Sequence, residues 1–436
     1  MRAAPRRYRL PPLPAGIEAA RAAGADTALA FAIEAARLGQ DGAGLRELFT
    51  ASLARAIEAA LSPTDGDAAF QALVLRAQHP HVEEHVRLSK QLHADRRALR
   101  TLVDAFAHPG KLGALDAPLR DPLASLHALA RAGAWTELQG EARALRDNPA
   151  AAPVREALDA LLAHPALARL ERNAVLLAHD AVQRYLLLCG QRGPLAGSAQ
   201  AAAHGRAAAR VGANAEHATL EALRRIALLL DALPGAGRHR AVRGLRTPAG
   251  FPGAIDKAKD EWDAALLVEH ADGARVLLVA EVKASPAAAT PDYLRLQRGL
   301  QRLALAEPGR SYPFASGDGE VRLAGASLRA LQPAGRALPP HVIYCSTSPP
   351  EVQPQLLSAA SRAVLLAERE SIAYARAVAE GQCPGAEALA PVWAALRREP
   401  RLRSALHQDE TSRAAREAML HPDDLLAAVV ETLGRR

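Results

Sequence analysis

Aromatic side chains are scarce: the 436 residues include 3 Trp, 6 Tyr and 6 Phe. With so few large rings and much alanine, closely packed helices are favoured over an extensive sheet protein. Cysteine is rarer still. Cys189, Cys345 and Cys383 lie far apart, are odd in number and have no metal-ligand spacing. That excludes a disulfide framework and a zinc ribbon, and reads as reduced, buried thiols of a cytoplasmic protein. No stretch reaches the roughly 18 uninterrupted apolar residues of a membrane helix, so no membrane partner is expected. The basic start MRAAPRRYRLPPLPAG has no apolar run behind it and does not read as a secretion signal. There is no Walker motif, no Gly-x-Ser-x-Gly and no Cys-x-x-Cys, which leaves out phosphate-loop, nucleophile-elbow and thioredoxin-like chemistry.

Lysine is the most telling shortage. Of 54 Lys plus Arg, only Lys90, Lys111, Lys257, Lys259 and Lys283 are lysine. Arginine is the default cation of this chain, so each lysine calls for a reason, and three of the five fall between residues 257 and 283.

What remains is an ordinary globular composition, 49% hydrophobic and 23% charged, long enough for two or three domains at about 150 residues each. The net charge of +7 permits an acidic partner such as nucleic acid, and equally suits solvated arginines on helix faces. Residues 1–14 read as an extended arm. Residues 15–190 read as an all-helical domain, with apolar positions recurring at three and four and breaks at Asp-Gly, His-Pro and Asn-Pro. The Gly-, Ala- and Ser-rich residues 191–211 suggest a linker. Residues 212–385 change texture. A helix is followed by strand-like runs at 240–246, 263–269, 275–282 and 341–346, and a weaker one at 362–367. Helices at 291–305 and 353–361 separate the later ones, and 306–340 looks like an insertion with a Gly-Asp-Gly turn. Residues 386–436 return to helix. The expected fold class is α/β, preceded by helices.

The chemistry concentrates in one hairpin. Asp272-Gly273 lies between two apolar runs, a strong turn signal. A three-residue loop would pair His270 with Ala274, and the same register puts Asp263 opposite Glu281, about 5 Å apart on one face. Lys283 shares the face of Glu281 by strand alternation. Two facing carboxylates repel unless a cation sits between them, and Mg²⁺ takes oxygen ligands of this kind. Upstream, Leu220, Leu223, Ala227 and Leu230 mark the apolar stripe of a helix. Glu216 lies four residues before Leu220 and is expected on that stripe.

Together, Glu216 in a Gly-x-x-x-Glu helix start, Asp263, and Glu281-Val282-Lys283 closing an apolar strand resemble the PD-(D/E)xK nuclease superfamily. The order of elements over about residues 212–380 resembles its restriction-endonuclease-like αβββαβ core. Trp262 stands where the family's Pro precedes Asp, and no Gln-x-x-x-Tyr follows. The resemblance implies a metal-dependent nuclease acting on nucleic acid, DNA first. Asp263 and Glu281, with the Val282 carbonyl, would ligate Mg²⁺ or Mn²⁺. Lys283 would orient water and stabilise developing charge. Glu216 would hold a second metal or a water, and Gln297 would contact the metal water or the backbone. Arg238, Arg240, Arg243 and Arg246 would meet phosphates. The alternative is a non-catalytic nucleic-acid-binding or scaffold protein with the same fold. The helical domain could serve as a homodimerisation or partner module. A third reading is a zinc peptidase at His81-x-x-Glu84-His85, with Glu156 as a further ligand.

Overall fold

The computed structural model describes residues 4–113, 115–191, 199–235, 237–254 and 256–435. The chain forms two compact units. Ala60–Gly193 with Ala375–Gly381 makes one; Met1–Ala59, Pro194–Tyr374 and Gln382–Arg436 make the other.

The first unit is helical. One core gathers Leu99, Val103, Leu123, Leu126, Leu138, Leu158 and Leu161. A smaller one gathers Ala72, Val82, Leu176 and Val182. The His-Pro breaks work as helix starts: proline takes the first helical position, where no amide partner is needed. The preceding ring of His108 or His164 accepts the amide of Gly110 or Ala166, each at 3.2 Å. Asp95, 5% exposed, is held by Arg169 at 2.6 Å across two helices.

The second unit is mixed α/β. Among the described residues its sheet has the order β5-β4-β1-β2-β3-β6-β7. The strands are β1 (His239–Arg246), β2 (Glu261–Val268), β3 (Arg275–Val282), β4 (Ser311–Ser316), β5 (Gly319–Ala324), β6 (Val342–Cys345) and β7 (Met419–Leu420). β1 through β3 form an antiparallel meander, and β6 then β7 add in parallel. One face packs Val242, Trp262, Ala265, Leu267, Val279 and Tyr344 under Tyr293, Leu296, Leu300 and Leu303 of the helix Ala289–Leu303. The other packs Ala264, Leu266, Leu278, Ala280 and Cys345 against Ala215, Leu223 and Ile226 of the long helix Ala199–Asp231.

Several expectations need correction. The arm, the helix Ala25–Arg37 and the helix Ala43–Leu61 as far as Ala59 belong to the sheet unit: Tyr8 is part of its core and the Phe49 ring lies 5.1 Å from Trp393. Helical periodicity does not say which body a helix packs on. From Ala199 onward the supposed linker is helix, because an alanine-rich run is the strongest helix former and outweighs the roughly 1 kcal/mol that each of Gly205 and Gly212 costs. Residues 192–198 lie outside the described residues. The supposed insertion is the β4–β5 hairpin, pairing with β1 at Arg246 and Ala315. The supposed strand at 362–367 is the helix Ala359–Leu366, started by the Ser358 hydroxyl accepting the Ser361 amide at 3.1 Å. The last strand is instead β7, from the supposedly helical tail, and two residues are too few to show a period.

Candidate active site

The β2–β3 register is paired as far as Ala264 with Ala280, which leaves Asp263 and Glu281 as the next residues of the two strands. The expected pairing nearer the turn is not made. A bulge between Leu266 and Leu267 shifts the register to Val268 opposite Arg275, and Ala274 bridges Leu323 of β5 instead of His270. The bulge absorbs the extra residue locally, so the polar end of the hairpin keeps its alignment.

Glu281 is 1% exposed and carries two ammonium groups on one oxygen. Its Oε1 accepts from Lys259 Nζ, and from Lys283 Nζ at 2.7 Å. Its Oε2 is buried and has no hydrogen-bond partner among the described residues. Lys283 also pairs with Asp292 of the helix Ala289–Leu303 at 3.0 Å. Asp263, half-buried, accepts the Val282 amide at 2.7 Å through Oδ2. Parallel pairing puts Tyr344 of β6 beside Glu281.

The electrostatics centre on Asp263. Burial and then the Asp263 charge push the Glu281 carboxyl up to about 7, against both lysines. Burial and Asp263 also raise Glu216, while Arg243 opposes the rise. Burial would lower Lys283, but Glu281 and Asp292 outweigh it and keep its pKa above the ordinary lysine value. Burial, Asp292 and Glu281 raise Tyr344. Lys283 is therefore a firmly charged donor beside a reluctantly charged carboxylate.

Glu216 is exposed, contrary to the expectation of a core-facing position, because Ala215 and Thr219 take the buried positions of that turn. Its carboxylate nonetheless responds to Asp263. Gln297 departs further. It is buried, and its Nε2 donates to the Arg336 carbonyl at 2.6 Å, a partner it shares with the Tyr293 hydroxyl. It anchors the chain before β6 rather than facing the carboxylates. The arginines divide. Arg240 and Arg243 lie around Asp318 at the β4–β5 turn, each with a 3.4 Å contact. Arg246 is paired with Glu261 at 2.6 Å. Arg238 is exposed before β1.

Sequence reasoning missed the roles of Lys259, Asp292 and Tyr344. Only Lys259 had a signal, its rarity. Lys259 reaches Glu281 because its backbone lies against Gly299: a Cβ there would come within 2.7 Å of the Lys259 carbonyl oxygen.

The zinc-peptidase pattern is taken apart by its neighbours. His85 is buried against Asn173 at 2.9 Å, Glu84 is held by Arg172 at 2.6 Å, and Glu156 is exposed. Among the described residues no group of three or more His, Cys, Asp or Glu side chains is placed to hold a metal ion. Glu281 does offer a buried oxygen without a hydrogen-bond partner, and the Asp263 charge is near enough to raise its carboxyl; carboxylate oxygens are hard ligands of the kind Mg²⁺ accepts, and Mg²⁺ commonly uses only one or two carboxylates.

The thiols differ from the expected set of three buried groups: Cys345 is buried, Cys189 half-buried and Cys383 exposed. Burial pushes Cys345 up to about 12, more than its hydrogen bond with Thr219 brings it down. A thiol reagent at pH 8 is expected to label Cys383 first and Cys345 only on unfolding. Equal labelling rates at the two in native protein would contradict the burial of β6.

Among the described residues no helix is long and apolar enough to cross a membrane. No family model, no curated protein and no solved structure matches the chain.

Proposed function

We propose that the chain is a metal-dependent nuclease of the PD-(D/E)xK kind, hydrolysing phosphodiester bonds of nucleic acid, with DNA the first substrate to test. One observation carries the reading: at the end of the β2–β3 hairpin Asp263 accepts the amide of Val282, the residue after Glu281, and Lys283 is hydrogen-bonded to the Glu281 carboxylate. A divalent cation, Mg²⁺ or Mn²⁺, would be held by Asp263, Glu281 and the Val282 carbonyl. When bound, it supplies charge neutralisation at the phosphodiester and makes water a better nucleophile. The chain's own residues do the rest. Lys283 keeps its proton and donates to phosphate oxygens as negative charge gathers on them. Asp292 keeps that ammonium beside Glu281. Glu216, near Asp263, completes an acidic rim. Arg243, near enough to Glu216 to act on its carboxyl, is the phosphate contact of choice, with Arg240 further along β1 a second candidate. The cytoplasm belongs to the same proposal, supported by three cysteines without a disulfide.

The test is cleavage of linear, circular and single-stranded DNA, and of RNA, with Mg²⁺ or Mn²⁺. Glu281→Gln and Lys283→Ala are each expected to lower the rate by about 10²–10³. Metal-independent cleavage, or full activity in both variants, would sink the reading. A second reading has its own observation. Two lysines already neutralise Glu281, which suits a non-catalytic nucleic-acid-binding scaffold. Binding without cleavage on every substrate would select it.

A further inference from the structure

We propose that Lys259 is a resident cation of the Glu281 carboxylate, carried in by the connection between β1 and β2, and that a divalent cation binds by displacing it. The inference rests on reading Asp263 and Glu281 as cation ligands.

The two lysines on Glu281 are not equivalent. Lys283 sits two residues along the same strand, so its distance from Glu281 is built into β3, and Asp292 gives it a second carboxylate. Lys259 comes from a connecting segment. It is 6% exposed, and Glu281 is its single ion-pair partner among the described residues. An ammonium placed here meets the carboxylate that a divalent cation needs. Both cations on one carboxylate repel each other, so occupancy by one weakens the other.

Around Lys259 the attachment of the segment is polar and local. The Arg298 guanidinium donates to the Lys257 carbonyl at 3.1 and 3.2 Å, and the Lys259 amide donates to the Arg295 carbonyl at 3.2 Å. Lys257 has φ +50°, a left-handed conformation that side-chain-bearing residues rarely adopt. Gly299 supplies the notch that the Lys259 backbone occupies. Residues 257–259 therefore rest on the helix Ala289–Leu303 through hydrogen bonds to their backbone, the Gly299 notch and one ion pair, while Phe251 anchors the earlier part of the connection in the core. Withdrawing Lys259 breaks that ion pair and leaves β2, β3 and Lys283 in place. The partnerless Glu281 Oε2 offers the incoming ion a ligand before the lysine has left.

The experiment is a Mn²⁺ titration of the full chain, reading free Mn²⁺ by electron spin resonance, with Lys259→Gln and Glu281→Gln beside wild type. Lys259→Gln is expected to bind Mn²⁺ at least about tenfold more tightly than wild type, and Glu281→Gln to lose the site. Equal affinity in wild type and Lys259→Gln, with loss in Glu281→Gln, overturns the resident-cation role and leaves the nuclease reading standing. Weaker binding in Lys259→Gln also overturns it, since Lys259 would then support the ion. Binding that survives Glu281→Gln, or no binding in any form, removes the metal reading itself. A second measurement needs no variant. Saturating Mn²⁺ is expected to speed hydrogen exchange at the Lys259 amide of wild type, and unchanged or slower exchange there overturns the displacement.

Discussion

Glu281→Ala is expected to destabilise the α/β unit by about 3–5 kcal/mol, the range for removing one partner of a buried ion pair. Lys259 would be left buried with no counter-charge, and Lys283 with Asp292 alone. Lys259→Met is expected to cost far less. It leaves the carboxylate with Lys283, and a methylene chain fills most of the same space. Glu281→Gln falls between them, keeping shape but not charge, and is the variant to use when activity is measured. The pH dependence has a definite sign. The Glu281 carboxyl is raised from 4.5 to about 7, so between those values the native state holds a proton that the unfolded state has lost. Its contribution to stability is therefore largest below about 4.5 and declines as pH rises towards 7. Glu281→Gln removes that slope. Urea denaturation of both proteins at several pH values reads the difference. A wild-type-minus-variant gap that does not change with pH would refute the assignment.

The parts of this site that were legible in the sequence are those that two local rules determine together. Asp272-Gly273 specifies a turn, and apolar alternation specifies which residues of the two runs face the same way. Alternation puts Lys283 on the face of Glu281, and the turn brings the two runs together, but the register towards Asp263 and Glu281 also depends on a bulge that neither rule shows. The bulge was invisible because the residue it leaves unpaired, Leu277, stands beside Leu278 in an unbroken apolar run, and a slip between identical apolar residues leaves no mark in the pattern. Lys259 belongs to a connection with no period at all. Its partner is set by how that connection lies on the helix Ala289–Leu303, which only Gly299 hints at. Gln297 misled for a related reason. Helical spacing puts it near Tyr293 on one side, but whether that side meets the carboxylates or the chain around Arg336 depends on the rotation of the whole helix. The rotation is set by Leu296, Leu300 and Leu303 entering the sheet face, a tertiary fact. β7 is the extreme case, two residues made into a strand by β6 beside them.

The N-terminal arm carries the other large expected effect. Read as sequence it is a Pro- and Arg-rich tail. In the structure Tyr8 is 2% exposed, and its hydroxyl reaches the carbonyls of Ser346 at 2.8 Å and Ser348 at 2.7 Å. Burial raises its pKa to about 12, so it stays a neutral donor. Tyr8→Ala empties a ring-sized place in the sheet core and is expected to cost about 3–5 kcal/mol. Tyr8→Phe keeps the ring, loses the hydrogen bond and is expected to cost about 1–2 kcal/mol. Arg9→Ala breaks an exposed, solvent-screened pair with Glu417 and should change stability far less than either Tyr8 variant. The consequence reaches the site through β6. The Cys345 carbonyl accepts the Lys283 amide at 2.9 Å, and the Ser348 hydroxyl donates to the Ala284 carbonyl at 2.6 Å. Tyr8 thus braces the stretch that fixes the backbone on both sides of Lys283. Chemical denaturation ranks the three variants, and hydrogen exchange at the Lys283 amide reads the link to the site. Tyr8→Ala should speed exchange there and Arg9→Ala should not. If Tyr8→Ala and Arg9→Ala matched in both measurements, the ring would have no part in holding β6, and the arm would be the loose tail its composition suggests.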